Sequence, residues 1–384
     1  MGAGGMRRRL TMGGIALAMA ALAAGCGRQT APVRIGAAGP WGSGNNVIQR
    51  HALELAVAEI NERGGIGGRK LELVLRDDGA SASRAVAIAE EFVDDPSIVA
   101  VVGHVNSGPM LAAARLYDGH LPAVIATATS PDLTGVSPWI FRVVASDSLS
   151  GATLAHAAGH LGWRRAAVLY ENDSYGRGLA AAFQAGFGGD IVGADPIDRS
   201  TDDFEPYIAW YRRRGVDVVF VASSEDTGIR FLRTARAMRF GAALVGADGW
   251  LGVTTDTVAS EGAYVATPFA AADARDEGRR FVEAYEERWG AAPDASAALA
   301  YDALNVVARA IAEGGPTREQ VRARLARLNE QVPLRGVTGS IAFRADGDRA
   351  GRGLLLTRVR RGGLAVVWRE GSDAAEGATV VSSR

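Results

Sequence analysis

The chain has 384 residues, of which 48% are apolar and 22% charged, a balance that fits folded domains and excludes a disordered polyelectrolyte. With 42 basic against 43 acidic residues the net charge is -1, so there is no electrostatic footprint for nucleic acid. Lys70 is the only lysine and is followed by Leu71, which rules out a phosphate-binding Gly-Lys-Ser/Thr loop.

The first element is a leader. Arg7-Arg8-Arg9 precede an apolar run from about Gly13 to Ala24, too short to span a bilayer comfortably, and small residues close it at Gly25-Cys26. Residues 1–25 are therefore expected to be an export signal, and the rest of the chain to lie outside the cytoplasm. Ala21-Leu22-Ala23-Ala24-Gly25-Cys26 resembles the lipobox of bacterial lipoproteins, with Leu22 one place further from the cysteine than is usual. That resemblance implies lipid attachment at Cys26 and a membrane anchor. Cys26 is the only cysteine, so no intramolecular disulfide and no cysteine-based zinc site can form.

After Cys26 the chain is long enough for two domains. Pro32 to Gly39 reads as a strand and Val47 to Asn61 as a helix ended by Gly64-Gly65; Lys70 to Arg76 alternates as a strand. Helix Ser83 to Val93, strand Ile98 to Gly103, helix Pro109 to Tyr117, strand Pro122 to Ala126 and strand Trp139 to Val144 follow. A second series runs as helix Leu149 to Leu161, strand Ala166 to Tyr170, helix Tyr175 to Phe187, strand Ile191 to Ala194, helix Phe204 to Arg214, strand Asp217 to Ala222, helix Thr227 to Met238 and strand Ala243 to Ala247. Asp273 to Asn329 is predicted mainly helical, with Phe281, Tyr285 and Trp289 on one face. Short strands are predicted at Val337 to Phe343, Gly353 to Arg360 and Leu364 to Arg369. Strands alternating with helices over short connections predict an α/β chain of parallel sheets covered on both faces.

In such sheets ligands bind beyond the carboxyl ends of the strands. The polar residues there are the candidates: Ser107 in the His104-to-Pro109 loop, where it can cap a helix whose free N–H groups suit an anion; Thr127 and Thr129; Tyr175; Ser224; and Asp248. Taken together, a carboxylate, hydroxyls and an aromatic ring suit a small zwitterion. Catalytic motifs are missing: there is no G-x-S-x-G elbow and no H-E-x-x-H pair. His51, His104, His120, His156 and His160 are scattered; His156 and His160 share a helix face with no carboxylate close in sequence and read as surface or capping groups. Gly176-Arg177-Gly178 with Ala181 loosely matches a dinucleotide fingerprint, but it begins too far after Tyr170 to form that turn. The chain is expected not to be an enzyme and to use no cofactor or metal.

Gly39-Pro40, Leu53 to Asn61 with Gly64 to Gly68, Asp77-Asp78, Val102-Gly103-His104, Ala128 to Thr134, Asp173 to Gly178, Tyr301-Asp302-Ala303 and Val337-Thr338-Gly339 occur in an order that resembles the periplasmic binding proteins of branched-chain amino acid ABC transporters. The resemblance implies a two-lobed type I periplasmic binding protein fold with three inter-lobe crossovers. The lobes would be 31–146 with 271–333 and 147–270 with 334–384, hinged near Ala145 to Ser148, Thr267 to Ala271 and Pro333 to Gly336. It also implies that Ser107 and Thr129 hold an α-carboxylate, that the Thr127 carbonyl and Asp248 hold an α-ammonium, and that Tyr175 closes over the ligand. Trp41 and Ser224 complete the candidate set, Ser224 standing where the family commonly has an aromatic. The family's small disulfide is absent, Ala80 and Asn106 lying near its usual places. The expected role is that of a monomeric receptor delivering an amino acid to a membrane permease; a sensor of the same fold signalling to a membrane partner is the alternative.

Overall fold

The computed structural model describes residues 1–2, 31–42, 46–274, 276–351 and 353–370; Cys26 and nearly all of the expected leader lie outside them. The first lobe is built on β1 (Val33–Gly39), α1 (Asn46–Glu62), β2 (Leu71–Asp77), α2 (Ala82–Asp94), β3 (Ile98–Gly103), α3 (Ser107–Tyr117), β4 (Ala123–Ile125) and β5 (Ile140–Arg142). Its five strands pair in the order β2-β1-β3-β4-β5, all parallel. The second lobe holds α4 (Asp147–His160), β6 (Arg165–Glu171), α5 (Ser174–Gly186), β7 (Asp190–Ile197), α6 (Glu205–Arg214), β8 (Val218–Ala222), α7 (Glu225–Ala237), β9 (Ala243–Gly246) and β10 (Tyr264–Thr267). The chain then makes α8 (Glu277–Trp289), α9 (Ala295–Gly314), α10 (Arg318–Leu325), β11 (Leu334–Gly336), β12 (Gly339–Ile341), β13 (Leu355–Arg360) and β14 (Gly363–Arg369). The second sheet runs β14-β13-β10-β9-β8-β6-β7, with β13 and β14 antiparallel additions at one edge.

The inner strands are continuous apolar runs because helices cover both their faces: all five residues of β8 are buried. In the first lobe α1 and the alanine-rich α9 pack on one face of the sheet, and Phe281 and Tyr285 of α8 join the same core. A capping box at Thr317 and Gln320 starts α10, whose Val321 and Leu325 extend that core.

The structure departs from expectation in three places. The strand β10, which the sequence did not announce, is only four residues long and takes its place from its neighbours, β9 on one side and β13 on the other. Val337 to Phe343 is not one strand: Val337-Thr338 is the turn of a hairpin formed by β11 and β12, with Leu334 paired to Ile341. That hairpin sits on the first lobe, not the second: Ile341 and Phe343 are buried in the core formed by α1, α8 and α9, and Gly135 N–H donates to Asp346 O at 3.0 Å. The boundary expected at 333/334 therefore falls near residue 350, and the third crossover is the segment leading into β13.

Candidate functional site

Each sheet reverses its strand order once. In the first, β1 and β3 lie side by side while their following helices leave in opposite directions; in the second, β6 and β8 do the same. The loops after these strands must separate, opening a crevice at the carboxyl edge. Trp41 follows β1, Asn106 and Ser107 follow β3, and Thr127 to Ser130 follow β4. Facing them, Tyr175 follows β6, Ser224 follows β8 and Asp248 follows β9. The lobes touch across this crevice: Ser130 Oγ donates to Ser174 O at 3.4 Å, and a Cβ on Gly178 would come within 2.5 Å of Pro131 Cδ.

The first-lobe wall is an anion site in form. The N-cap of α3 is Asn106, not Ser107 as expected, and it makes no side-chain cap bond, so the first N–H groups of the helix keep their positive end unanswered. Ser107, one residue into the helix, accepts from Ser130 N at 3.2 Å, which leaves its hydroxyl proton to give. Thr129 is buried and its Oγ1 has no partner within the protein; the same holds for Asn106 Oδ1 and Trp41 Nε1. Trp41 packs against Gly39 and Val105 and forms part of the floor. The Thr127 hydroxyl donates to Val105 O at 3.0 Å, leaving its carbonyl for a ligand.

The opposite wall is acidic. Tyr175 Oη donates to Asp248 Oδ1 at 3.0 Å and accepts from Gly249 N at 3.1 Å, so the ring and the carboxylate are fixed together. Burial and the neighbouring Asp248 carboxylate push the Tyr175 hydroxyl well above its ordinary range, and burial pushes Asp248 up as well. The residue that sequence reasoning missed is Asp147, the first residue of α4. It is 0% exposed, and neither carboxylate oxygen has a hydrogen-bond partner in the protein. Its backbone N–H donates to Thr129 O at 2.9 Å, which ties it to the first-lobe loop. Burial first and the Asp248 charge second hold its carboxyl well above the usual range. The only signal in the sequence was Ser146-Asp147 at a helix start, which reads as a cap; Ser146 does accept from Leu149 N at 3.4 Å.

One expected placement needs correction. The Ser224 hydroxyl donates to Glu171 Oε1 at 2.6 Å, the same oxygen that accepts from Thr227 Oγ1 at 2.5 Å, so it supports the base of the second lobe instead of offering a free group to a ligand. His104 is fully buried between Asp78 Oδ2 (2.7 Å) and Tyr117 Oη (3.1 Å), where it braces the β3 end. Among the described residues no group of three or more His, Cys, Asp or Glu side chains could hold a metal ion, and no helix is long and apolar enough to cross a membrane.

A cleft between two α/β lobes, with unpaired donors on one wall and carboxylates on the other, defines a two-lobed solute-binding protein. Residues 32–364 match the family model described as periplasmic binding protein. The Leu/Ile/Val-binding protein of Escherichia coli (strain K12) is 32% identical over 216 residues, 55% of this chain and 59% of that protein, so the match spans little more than half of its length. A Leu/Ile/Val-binding protein homologue of Brucella abortus (strain 2308) is 25% identical over 369 residues, 93% of this chain and 97% of that one. Among solved structures, an ABC transporter substrate-binding protein of Desulfitobacterium hafniense in complex with Leu is 33% identical with a TM-score of 0.78, covering 88% of this chain and 100% of that one. The chain belongs to the periplasmic binding protein family and has the type I fold of those proteins, with the Leu/Ile/Val-binding proteins of ABC transporters as its relatives.

Proposed function

We propose that this protein is the receptor of an ABC transporter and that it binds a free α-amino acid of the branched-chain type between its lobes. The observation that carries this reading is the set of buried polar atoms without protein partners: Thr129 Oγ1 near the uncapped start of α3, and both oxygens of Asp147, whose backbone N–H meets Thr129 O. Buried polar groups are normally paired, so such a set marks where a ligand supplies the partners. One end asks for a carboxylate and the other for an ammonium. Ser107, Thr129 and the first N–H groups of α3 take the carboxylate; the Thr127 carbonyl, Asp147 and Asp248 take the ammonium; Tyr175 and Trp41 bound the side chain. The Leu-bound relative supports the branched-chain choice.

Calorimetry with L-leucine, L-isoleucine and L-valine tests it against two truncated probes, 3-methylbutylamine and 4-methylpentanoate. An amino acid should bind and both truncated probes should fail, because each leaves one wall unpaired. Equal binding of 4-methylpentanoate would show that the acidic wall plays no part. Delivery to a permease and lipid attachment at Cys26 belong to the same reading. Replacing Cys26 by Ser should move the protein from the membrane fraction, since an acyl chain contributes about 0.8 kcal/mol per buried methylene; unchanged fractionation rejects the anchor.

A further inference from the structure

Arg142 closes β5 just before the first crossover and is 1% exposed. Its guanidinium makes four side-chain hydrogen bonds. Nε donates to Asp348, Nη1 donates to Thr129 O at 3.1 Å and to Ser130 O at 2.8 Å, and Nη2 donates to Thr134 Oγ1 at 2.6 Å. Asp348 in turn accepts from Thr134 Oγ1 at 2.9 Å and from Arg344 Nη2 at 3.2 Å. The backbone repeats the link, Arg142 N–H donating to Gly347 O at 3.0 Å. Arg349 reaches back the same way, to Val143 O at 2.6 Å.

Two things follow from this geometry. The chain segments that carry the first and third crossovers, around Val143 to Ser146 and around Asp348 to Gly351, are laced side by side. The same guanidinium that laces them also holds the carbonyls of the Thr129-Ser130 turn, which carries the unpartnered Thr129 Oγ1 and the Ser130 N–H that donates to Ser107 Oγ. Arg142 touches no ligand group itself and is a positioning residue. A buried ion pair is a poor device for stability alone, because apolar groups of similar volume do as well or better. Its four directed bonds specify instead where the loop stands relative to the crossovers.

We propose that Arg142 and Asp348 form a clamp that fixes the ligand loop to the hinge, so that a ligand held by the loop steadies the crossovers in their closed setting. This rests on the cleft being the ligand site, as argued above. The structure puts one rigid connection where both ends are needed: loop movement without hinge movement would break Arg142's bonds to Thr129 and Ser130, or those to Asp348.

The test uses the full chain and four variants. Asp348→Asn keeps an acceptor for Arg142 but removes the charge; Arg142→Met removes the clamp, and Arg142→Lys restores the charge without the fork. Asn61→Ala is the control, because Asn61 ties α1 to β2 by bonds to Leu71 O (2.9 Å) and Leu71 N (2.7 Å) at the far edge of the same lobe. Hydrogen exchange of the ligand-free proteins is read first. In Asp348→Asn the amides from Ala128 to Thr134 should exchange about tenfold faster, while Asn61→Ala leaves them unchanged at a similar loss of melting temperature. Stopped-flow binding of L-leucine is read second: Asp348→Asn should raise the dissociation rate about tenfold with association within about twofold, and Arg142→Lys should recover part of what Arg142→Met loses. Unchanged exchange from Ala128 to Thr134 in Asp348→Asn, or an equal change in Asn61→Ala, overturns the clamp and leaves a network that only supports the fold. A wild-type chain that fails to bind L-leucine counts against the ligand reading alone, since the exchange measurement needs no ligand.

Discussion

Asp147 and Asp248 are the residues on which the chemistry of the cleft turns. Burial raises both carboxyls above the ordinary aspartate value of 3.8, and for Asp147 the nearby Asp248 charge adds to the effect. In the ligand-free protein the folded state thus binds more protons than the unfolded chain in the pH range from that value upward, and stability falls as pH rises through it. An ammonium reverses the preference by favouring the ionised carboxylates, so binding should release protons. Calorimetry of L-leucine binding near pH 5 in two buffers of different ionisation heat should give apparent enthalpies that differ accordingly, and affinity should strengthen as pH rises; identical enthalpies would mean the carboxyls do not meet the ligand. Asp248→Asn should weaken binding by about 2 to 5 kcal/mol, since it takes charge from a buried cation's partner, while thermal melting in the absence of ligand stays close to wild type. Wild-type affinity in that variant would remove Asp248 from the ammonium site. Ser107, Thr129, Tyr175 and Asp248 were legible as candidates because each follows a strand that the apolar runs had already located. Asp147 and Arg142 were not, because local sequence cannot tell a carboxylate at a helix start from a cap, nor an arginine at a strand end from a surface group. Ser224 misled for the complementary reason: its partner Glu171 is distant in the chain, and only folding brings them together.

At the scale of the element, α5 is the part of the second lobe that meets the first. Gly178 sits on the face of α5 turned to Pro131, where a Cβ would meet Pro131 Cδ at 2.5 Å and Cγ at 3.0 Å. A glycine inside a helix costs about 1 kcal/mol relative to alanine, so its presence there is better matched to the approach of the lobes than to helix stability. Gly178→Ala should then act in opposite directions. The ligand-free protein should melt at the same temperature or slightly higher, whereas L-leucine should bind more weakly and leave faster, because the lobes no longer approach as closely. Parallel melting and calorimetry check both signs, and loss of stability with unchanged affinity would refute the role assigned to this glycine. Most helices and inner strands were legible from periodicity, since buried parallel strands such as β8 are unbroken apolar runs. The hairpin of β11 and β12 was not, because what bends it lies elsewhere. Asp302 on α9 accepts from Val337 N at 2.8 Å and from Thr338 N at 2.9 Å, pinning the turn to the first lobe.

At the scale of the molecule, the two ends of the ligand belong to different bodies. Ser107 and Thr129 belong to the first lobe and Tyr175 and Asp248 to the second, while Asp147 stands at the crossover with its N–H on Thr129 O at 2.9 Å. A zwitterion is fully paired only when the lobes meet, and a ligand shifts such an equilibrium by no more than its differential affinity for the two states. On the function proposed above, closure is what a membrane partner would read, and the crossovers that follow β5 and β10 and that lead into β13 would be its hinge. The motion is expected to be of the rigid-body kind, since each lobe carries its own packed cores and the connections between lobes are short. Small-angle scattering of the protein saturated with L-leucine should give a smaller radius of gyration than the free protein. The difference between the free and the saturated form should be larger when Gly178 is intact than when it is replaced by alanine. Superimposable curves, with binding confirmed calorimetrically in the same sample, would mean that the lobes are already closed before the ligand arrives and that a partner must read something other than their separation.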